Sequence, residues 1–185
     1  MLKDVPVNFK DCPWRRTRMS PTKEEVEVLS NYLISLDNGF DTFLEFGCGV
    51  TTWYLSQLQF KDYVSVEEYE PAIEKVNHHL PDIPVVRQWV DIPIQKYHYA
   101  FVDSHAGGDA KPTEREKPLV YAIEYNLLYD DTIMIAHDHT MVAKGDISRQ
   151  TITHGWHGAM NKYGWKLTHQ IELRKSFGIY ERGKS

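Results

Sequence analysis

The stretch Phe43-Leu-Glu-Phe-Gly-Cys-Gly-Val-Thr-Thr52 decides how the rest of this chain is read. Phe43, Leu44 and Phe46 form an apolar run of the kind that makes a buried strand. Gly47 and Gly49 then let the backbone turn tightly and let a ligand approach with no Cβ in the way. Thr51 and Thr52 follow as hydroxyls able to cap a helix. A strand that leaves through Glu45-x-Gly47-x-Gly49 into a helix is a typical opening unit of a parallel α/β sheet. The plainer alternative is a simple turn, with Glu67 further on as a solvated strand end.

Outward from this segment the pattern alternates. Upstream, Val26, Leu29, Leu33 and Leu36 recur at helical spacing. That helix is expected to start at Ser20, with Pro21 at its first position and Glu24 completing a capping pattern, and to end near Asn38-Gly39. Downstream, strands are expected at Tyr63–Glu67, Val85–Val90, Tyr97–Asp103 and Thr132–Ala136. Helices are expected at Thr51–Gln59, Pro71–His79, Pro118–Tyr129 and Gln150–Tyr163. Lys166–Leu173 and Phe177–Glu181, joined by the turn Arg174–Ser176, read as a closing hairpin. The fold class that follows is α/β: a single Rossmann-like, doubly wound sheet of about seven strands, mostly parallel, with an antiparallel C-terminal hairpin. Ligands of such sheets sit beyond the carboxyl ends of the strands, near the point where strand order reverses.

The chain has 185 residues, room for one domain with a real core. No repeat or linker divides it, so residues 21–185 are expected to form one domain behind an irregular segment, 1–20. Within that segment, Trp14-Arg-Arg-Thr-Arg18 is a basic, aromatic candidate for a substrate lid, with a plain surface arm as the alternative. A formal charge of −5 argues against a protein whose main task is to hold nucleic acid electrostatically. The two cysteines, Cys12 and Cys48, form no disulfide framework and read as free thiols. There is no signal-like leader and no run of about 20 apolar residues, so a cytoplasmic protein with no membrane partner is expected. The composition fits a monomer or a dimer equally.

The Glu-x-Gly-x-Gly segment, followed by the strand-terminal acid Glu67 in Val64-Ser-Val-Glu-Glu68, resembles the class I S-adenosylmethionine-dependent methyltransferases over about residues 40–182. By that resemblance the cofactor residues are Glu45, Gly47, Cys48, Gly49, Thr51, Thr52, Glu67, Glu68 and Asp91. The glycine loop meets the methionine part, Glu67 the ribose and Asp91 the adenine, with Tyr69 helping Glu68 to wall that pocket. Thr52 stands where a dinucleotide fingerprint wants a third glycine, which disfavours nicotinamide and flavin. S-adenosylmethionine has no pyrophosphate, so it loses nothing there.

Two further strand ends carry substrate chemistry: Phe101-Val-Asp-Ser-His-Ala-Gly-Gly108 and Met134-Ile-Ala-His-Asp-His-Thr140. Methyl transfer needs a positioned nucleophile and a base, and histidine or carboxylate can serve. The catalytic candidates are Asp103, His105, Asp138 and His139. A divalent metal is a second possibility, with Asp103, Asp138 and His137 as candidate ligands. Arg115 is the candidate anion clamp for an acidic substrate. The pairs Glu67-Glu68, Val102-Asp103 and His137-Asp138 are also similar to the glucuronoxylan 4-O-methyltransferase group. The function implied is O-methylation of a small hydroxylated or saccharide substrate. The competing readings are an inactive scaffold on the same fold and an aminopropyl transferase.

Overall fold

The computed structural model describes residues 8–14, 21–36, 41–103, 117–137, 160–171 and 177–183. Arg15–Arg18, most of the helix expected over Gln150–Tyr163, and the turn Arg174–Ser176 lie outside the described residues.

Helix α1 runs Lys23–Leu36. Thr22 caps it: its Oγ1 accepts the Glu25 amide at 3.2 Å, and Glu25 Oε2 accepts the Thr22 amide at 2.6 Å. This reciprocal box is spaced Thr-x-x-Glu, so it replaces the expected start at Ser20 with Glu24. Strand β1 (Thr42–Phe46) leads through the glycine loop into α2 (Val50–Ser56). Then come β2 (Asp62–Val66), α3 (Glu70–His79) and the short β3 (Val85–Val86). The third strand was expected to reach Val90, but a 3-10 turn over Trp89–Asp91 ends the extended run. β4 spans Tyr97–Val102, α4 Lys117–Glu124, β5 Leu128–His137, β6 Trp165–Ile171 and β7 Phe177–Arg182.

The helix expected over Pro118–Tyr129 is shorter because Asn126 adopts φ 60°. The Asn126 amide donates to Ile123 O at 3.0 Å and the Leu127 amide to Ala122 O at 2.8 Å. That is a Schellman stop, in which asparagine tolerates the left-handed position. The chain then enters β5 four residues earlier than expected.

The strands form one sheet in the order β3-β2-β1-β4-β5-β7-β6. β1 pairs in parallel with both β2 and β4, while β7 runs antiparallel to β5 and to β6. The order reverses between β1 and β4, so their carboxyl ends flank the crevice where such folds bind ligands.

Alternate residues serve opposite faces. Phe43, Tyr99, Phe101, Ile133, Ile135 and Ile179 pack with Leu29 and Leu33 of α1, Leu55 of α2 and Val76 of α3. Leu44, Phe46, Val64, Val66, Val102 and Met134 pack on the other face with Leu119 and Ala122 of α4. Burial on both faces is why these strands read as nearly unbroken apolar runs.

The N-terminal stretch Asn8–Trp14 docks on α2 and α3. The Phe9 ring lies 4.7 Å from Tyr54, and Trp14 lies 6.5 Å from Trp53 and 6.2 Å from His79. Asn8 exchanges hydrogen bonds with Gln57.

Candidate cofactor and active site

The glycine loop is held amide by amide. Gly47 N donates to Val66 O at 2.9 Å. Cys48 N donates to Glu67 Oε2 at 3.2 Å, and Gly49 N to Thr52 Oγ1 at 2.7 Å. Gly47 sits at φ 96°, a conformation that side chains rarely tolerate. Gly49 is extended, so its backbone does not require glycine. A Cβ added there would meet nothing within 4 Å among the described residues. Among the described residues, the space over Gly49 is therefore open.

Beneath the loop lies Glu45, wholly buried. Its Oε2 accepts Thr52 Oγ1 at 2.8 Å and Ser65 Oγ at 2.9 Å. Ser65 reaches it because the two residues are register partners across β1 and β2. The Tyr63 hydroxyl lies beside the same carboxyl without meeting hydrogen-bond geometry, and Glu45 Oε1 has no partner among the described residues. Burial pushes the Glu45 pKa up to about 8, against the pull of the surrounding hydroxyls. Burial also pushes up the Cys48 thiol, with the charges of Glu45 and Glu67 adding to it.

Glu67 closes β2. Its Oε1 accepts the amides of Glu68 at 2.9 Å and Tyr69 at 2.8 Å, in addition to the Cys48 bond on Oε2. Burial raises its pKa and the three amides oppose that rise. An ionised carboxylate has about four acceptor directions, so Oε2 keeps capacity for a further donor.

Its chain neighbour Glu68 lines a pocket of about 400 Å³ together with Arg87, Gln88, Trp89 and Val90. Trp89 stands against Tyr121 of α4, with ring centroids 4.8 Å apart. Arg87 makes a two-pronged pair with Glu70 across the outer rim. Asp91, the expected adenine contact, is exposed at the end of the 3-10 turn and does not line this pocket.

At the ends of β4 and β5 a second pair forms. His137 Nδ1 lies 3.0 Å from Asp103 Oδ1; the histidine side chain is 1% exposed and the aspartate 33%. The His137 ring also packs on Phe177, with centroids 5.1 Å apart. The Asp103 amide donates to Phe46 O at 2.9 Å, which extends the β1–β4 ladder by one bond. His105, Arg115, Asp138 and His139 lie outside the described residues. Among the described residues no group of three or more potential metal ligands assembles.

Of the expected cofactor residues, Glu45, Gly47, Cys48, Gly49, Thr52 and Glu67 converge in one network, and Thr51 is buried beside them. Sequence reasoning missed Ser65, Tyr63 and the Gln88–Val90 wall. Ser65 carried a readable signal, a lone polar residue inside the apolar strand Tyr63–Val66.

No protein-family model matches the sequence, and no curated protein matches it either. Solved structures do. An O-methyltransferase from Bacillus cereus, in complex with SAH, superposes with a TM-score of 0.62 at 14% identity, over 89% of this chain and 83% of that one. TomG, an O-methyltransferase from Streptomyces achromogenes in complex with SAM, gives 0.62 at 15% identity, over 89% and 82%. A ribosomal protein L11 methylase from Lactobacillus delbrueckii gives 0.58 at 12%, over 90% and 82%. At such identities the likeness establishes the fold: that of the class I S-adenosylmethionine-dependent methyltransferases.

Proposed function

We propose that this chain binds S-adenosylmethionine and transfers its methyl group to a hydroxyl of a small hydroxylated or saccharide substrate. The observation that carries the reading is Glu67. A carboxylate tied to the glycine loop through the Cys48 amide keeps acceptor capacity, and its chain neighbour Glu68 lines a pocket of about 400 Å³. A nucleoside fits that arrangement, with a ribose hydroxyl on Glu67 and the base against Trp89 and Val90, walled by Glu68. Asp91 is then a neighbour of the base pocket and not its wall.

The loop's chemistry suits the amino-acid end of the cofactor. All three amides from Gly47 to Gly49 are already taken within the protein. What the loop offers a ligand is therefore space and carbonyl oxygens, of which Gly49 O already accepts the Trp53 amide at 3.3 Å, and carbonyls suit an ammonium group.

When bound, the cofactor supplies an electrophilic sulfonium methyl. The substrate hydroxyl oxygen bonds to that carbon, the carbon–sulfur bond breaks with its electron pair staying on sulfur, and the hydroxyl proton goes to a base. Asp103, at the β4 end, is the described candidate for receiving or directing that proton. With the aspartate ionised, His137 Nδ1–H donates to it and fixes its rotamer. His105, Asp138 and His139 are further candidates for the base, and Arg115 for an anion clamp on an acidic substrate. A charge of −5 favours a small-molecule substrate over nucleic acid. No helix among the described residues is long and apolar enough to cross a membrane.

Calorimetric titration with S-adenosylhomocysteine tests the reading. Micromolar binding is the expected outcome. A folded protein that takes up no heat would withdraw the enzyme and leave a scaffold on this fold.

A further inference from the structure

Thr52 occupies the third helical position after the Gly49 cap and does two things at once. Its hydroxyl oxygen accepts the Gly49 amide at 2.7 Å, and its proton goes to Glu45 Oε2 at 2.8 Å. Thr52 and Glu45 are both fully buried. Glu45 is fixed in turn by Ser65 Oγ at 2.9 Å, from the neighbouring strand. A chain of hydrogen bonds thus runs from the loop amide through one hydroxyl into an acid rooted in the sheet. In a capping box the third helical residue is usually Glu or Gln reaching back to the cap amide. Here a short threonine does this, and the carboxylate that would otherwise sit on the helix lies beneath, in β1.

We infer that Thr52 is a positioning residue for the cofactor loop, its hydroxyl pinning the Gly49 amide to the buried Glu45 so that the open side of Gly49 is preset for the ligand. The inference rests on the reading of this loop as the cofactor's cradle. An amide free to rotate would have to be ordered at each binding event, and that ordering lowers affinity. Valine has the shape of threonine without the hydroxyl, and serine has the hydroxyl without the methyl. The two substitutions therefore separate pinning from packing.

The experiment compares wild type, Thr52→Val and Thr52→Ser by amide exchange at Gly49 and by calorimetry with S-adenosylhomocysteine, after melting curves establish that each is folded. Thr52→Val should speed Gly49 exchange and weaken the ligand by about tenfold or more, and Thr52→Ser should return both to near wild type. Wild-type affinity in Thr52→Val, or equal losses in both variants, would overturn the inference. If wild type binds no S-adenosylhomocysteine, the functional reading fails. Gly49 exchange alone then decides the pin, and unchanged exchange in Thr52→Val refutes it. Should Thr52→Val not fold, Thr52→Ala against Thr52→Ser gives the same comparison.

Discussion

At the carboxyl ends of β1 and β2, three successive loop amides are held at 2.7 to 3.2 Å, Gly47 by the Val66 carbonyl, Cys48 by the Glu67 carboxyl and Gly49 by the Thr52 hydroxyl, which in turn donates to Glu45. At the ends of β4 and β5, one side-chain pair, Asp103 with His137, stands where the chain leaves the sheet. The first region is fixed by backbone, and its acids are held by donors on adjoining strands and turns. In the second, among the described residues, His137 meets Asp103 and packs on Phe177, and a third of the aspartate is open to solvent. A preorganised cradle beside a sparsely held, accessible carboxylate is what a transferase needs if one region holds a constant cofactor and the other meets the reacting group. The contrast also says that perturbing the two regions should have separable effects.

The largest effect is expected at Asp103. Asp103→Asn keeps the size and removes the proton acceptor. Turnover, followed as transfer of labelled methyl to an accepted substrate, should fall about 10²- to 10⁴-fold. Affinity for S-adenosylhomocysteine should stay within about threefold. A parallel loss of affinity would show that the two regions are one and that Asp103 holds cofactor.

Next comes Glu45, where the test is stability against pH. Between the ordinary carboxyl value of 4.5 and about 8, the folded chain keeps a proton on Glu45 that the unfolded chain has lost. The native state then binds more protons than the unfolded one, so stability is full below that window and falls as pH rises through it. The slope from this group is about 1.4 kcal/mol per pH unit. Glu45→Gln keeps an oxygen for Thr52 and Ser65 and places an amide beside the Tyr63 hydroxyl. It should flatten that part of the slope and melt higher than wild type at pH 8. Identical melting-versus-pH curves would mean that Glu45 is ionised in the native protein.

Glu67 is the intermediate case, because it belongs to the locked region yet stands one residue from Glu68 of the pocket wall. Glu67→Ala removes the acceptor for the Cys48, Glu68 and Tyr69 amides as well as the ribose contact proposed for it. Binding of S-adenosylhomocysteine should weaken by about 1–3 kcal/mol. Undiminished affinity in a folded variant would remove Glu67 from the ribose role and leave it as a tether of the loop alone.

How far the sequence foretold these two regions follows the same division. The mostly parallel sheet, the closing hairpin and the Glu45–Thr52 turn were legible because they rest on local pattern: apolar runs, Gly47 and Gly49 after a strand, an acid at a strand end. Boundaries shifted where a single side chain decided them. Thr22 with Glu25 began α1, and Asn126 stopped α4 before the apolar Leu127-Leu128 that seemed to continue it. The pocket beside Glu68 was not legible, because β3 ends after two residues and a turn, not a strand, brings Gln88, Trp89 and Val90 to its wall. The partnership of Ser65 with Glu45 depends on register between strands separated by a helix, and no local pattern reports register. The pairing of His137 with Asp103 is of the same kind: both were candidates, but only the β4–β5 register puts them in contact.

The smallest effect is expected from removing divalent metal, and it bears on the second region alone. Asp103, Asp138 and His137 are the ligand types a metal would use, and Asp103 Oδ1 is already bonded to His137 Nδ1. A metal bound by both would have to break that bond and draw in a ring whose side chain is 1% exposed and packed on Phe177. Coordination by those atoms therefore costs a buried hydrogen bond and a core contact before any ligand bond forms. EDTA should leave S-adenosylhomocysteine affinity unchanged within about twofold, and turnover likewise. A loss of turnover on chelation that added Mg²⁺ or Mn²⁺ restored, with cofactor affinity intact, would reverse the assignment. It would mean that the Asp103–His137 bond opens in the working enzyme and that the sparsely held region is a metal centre in waiting, while the locked region would keep its role untouched.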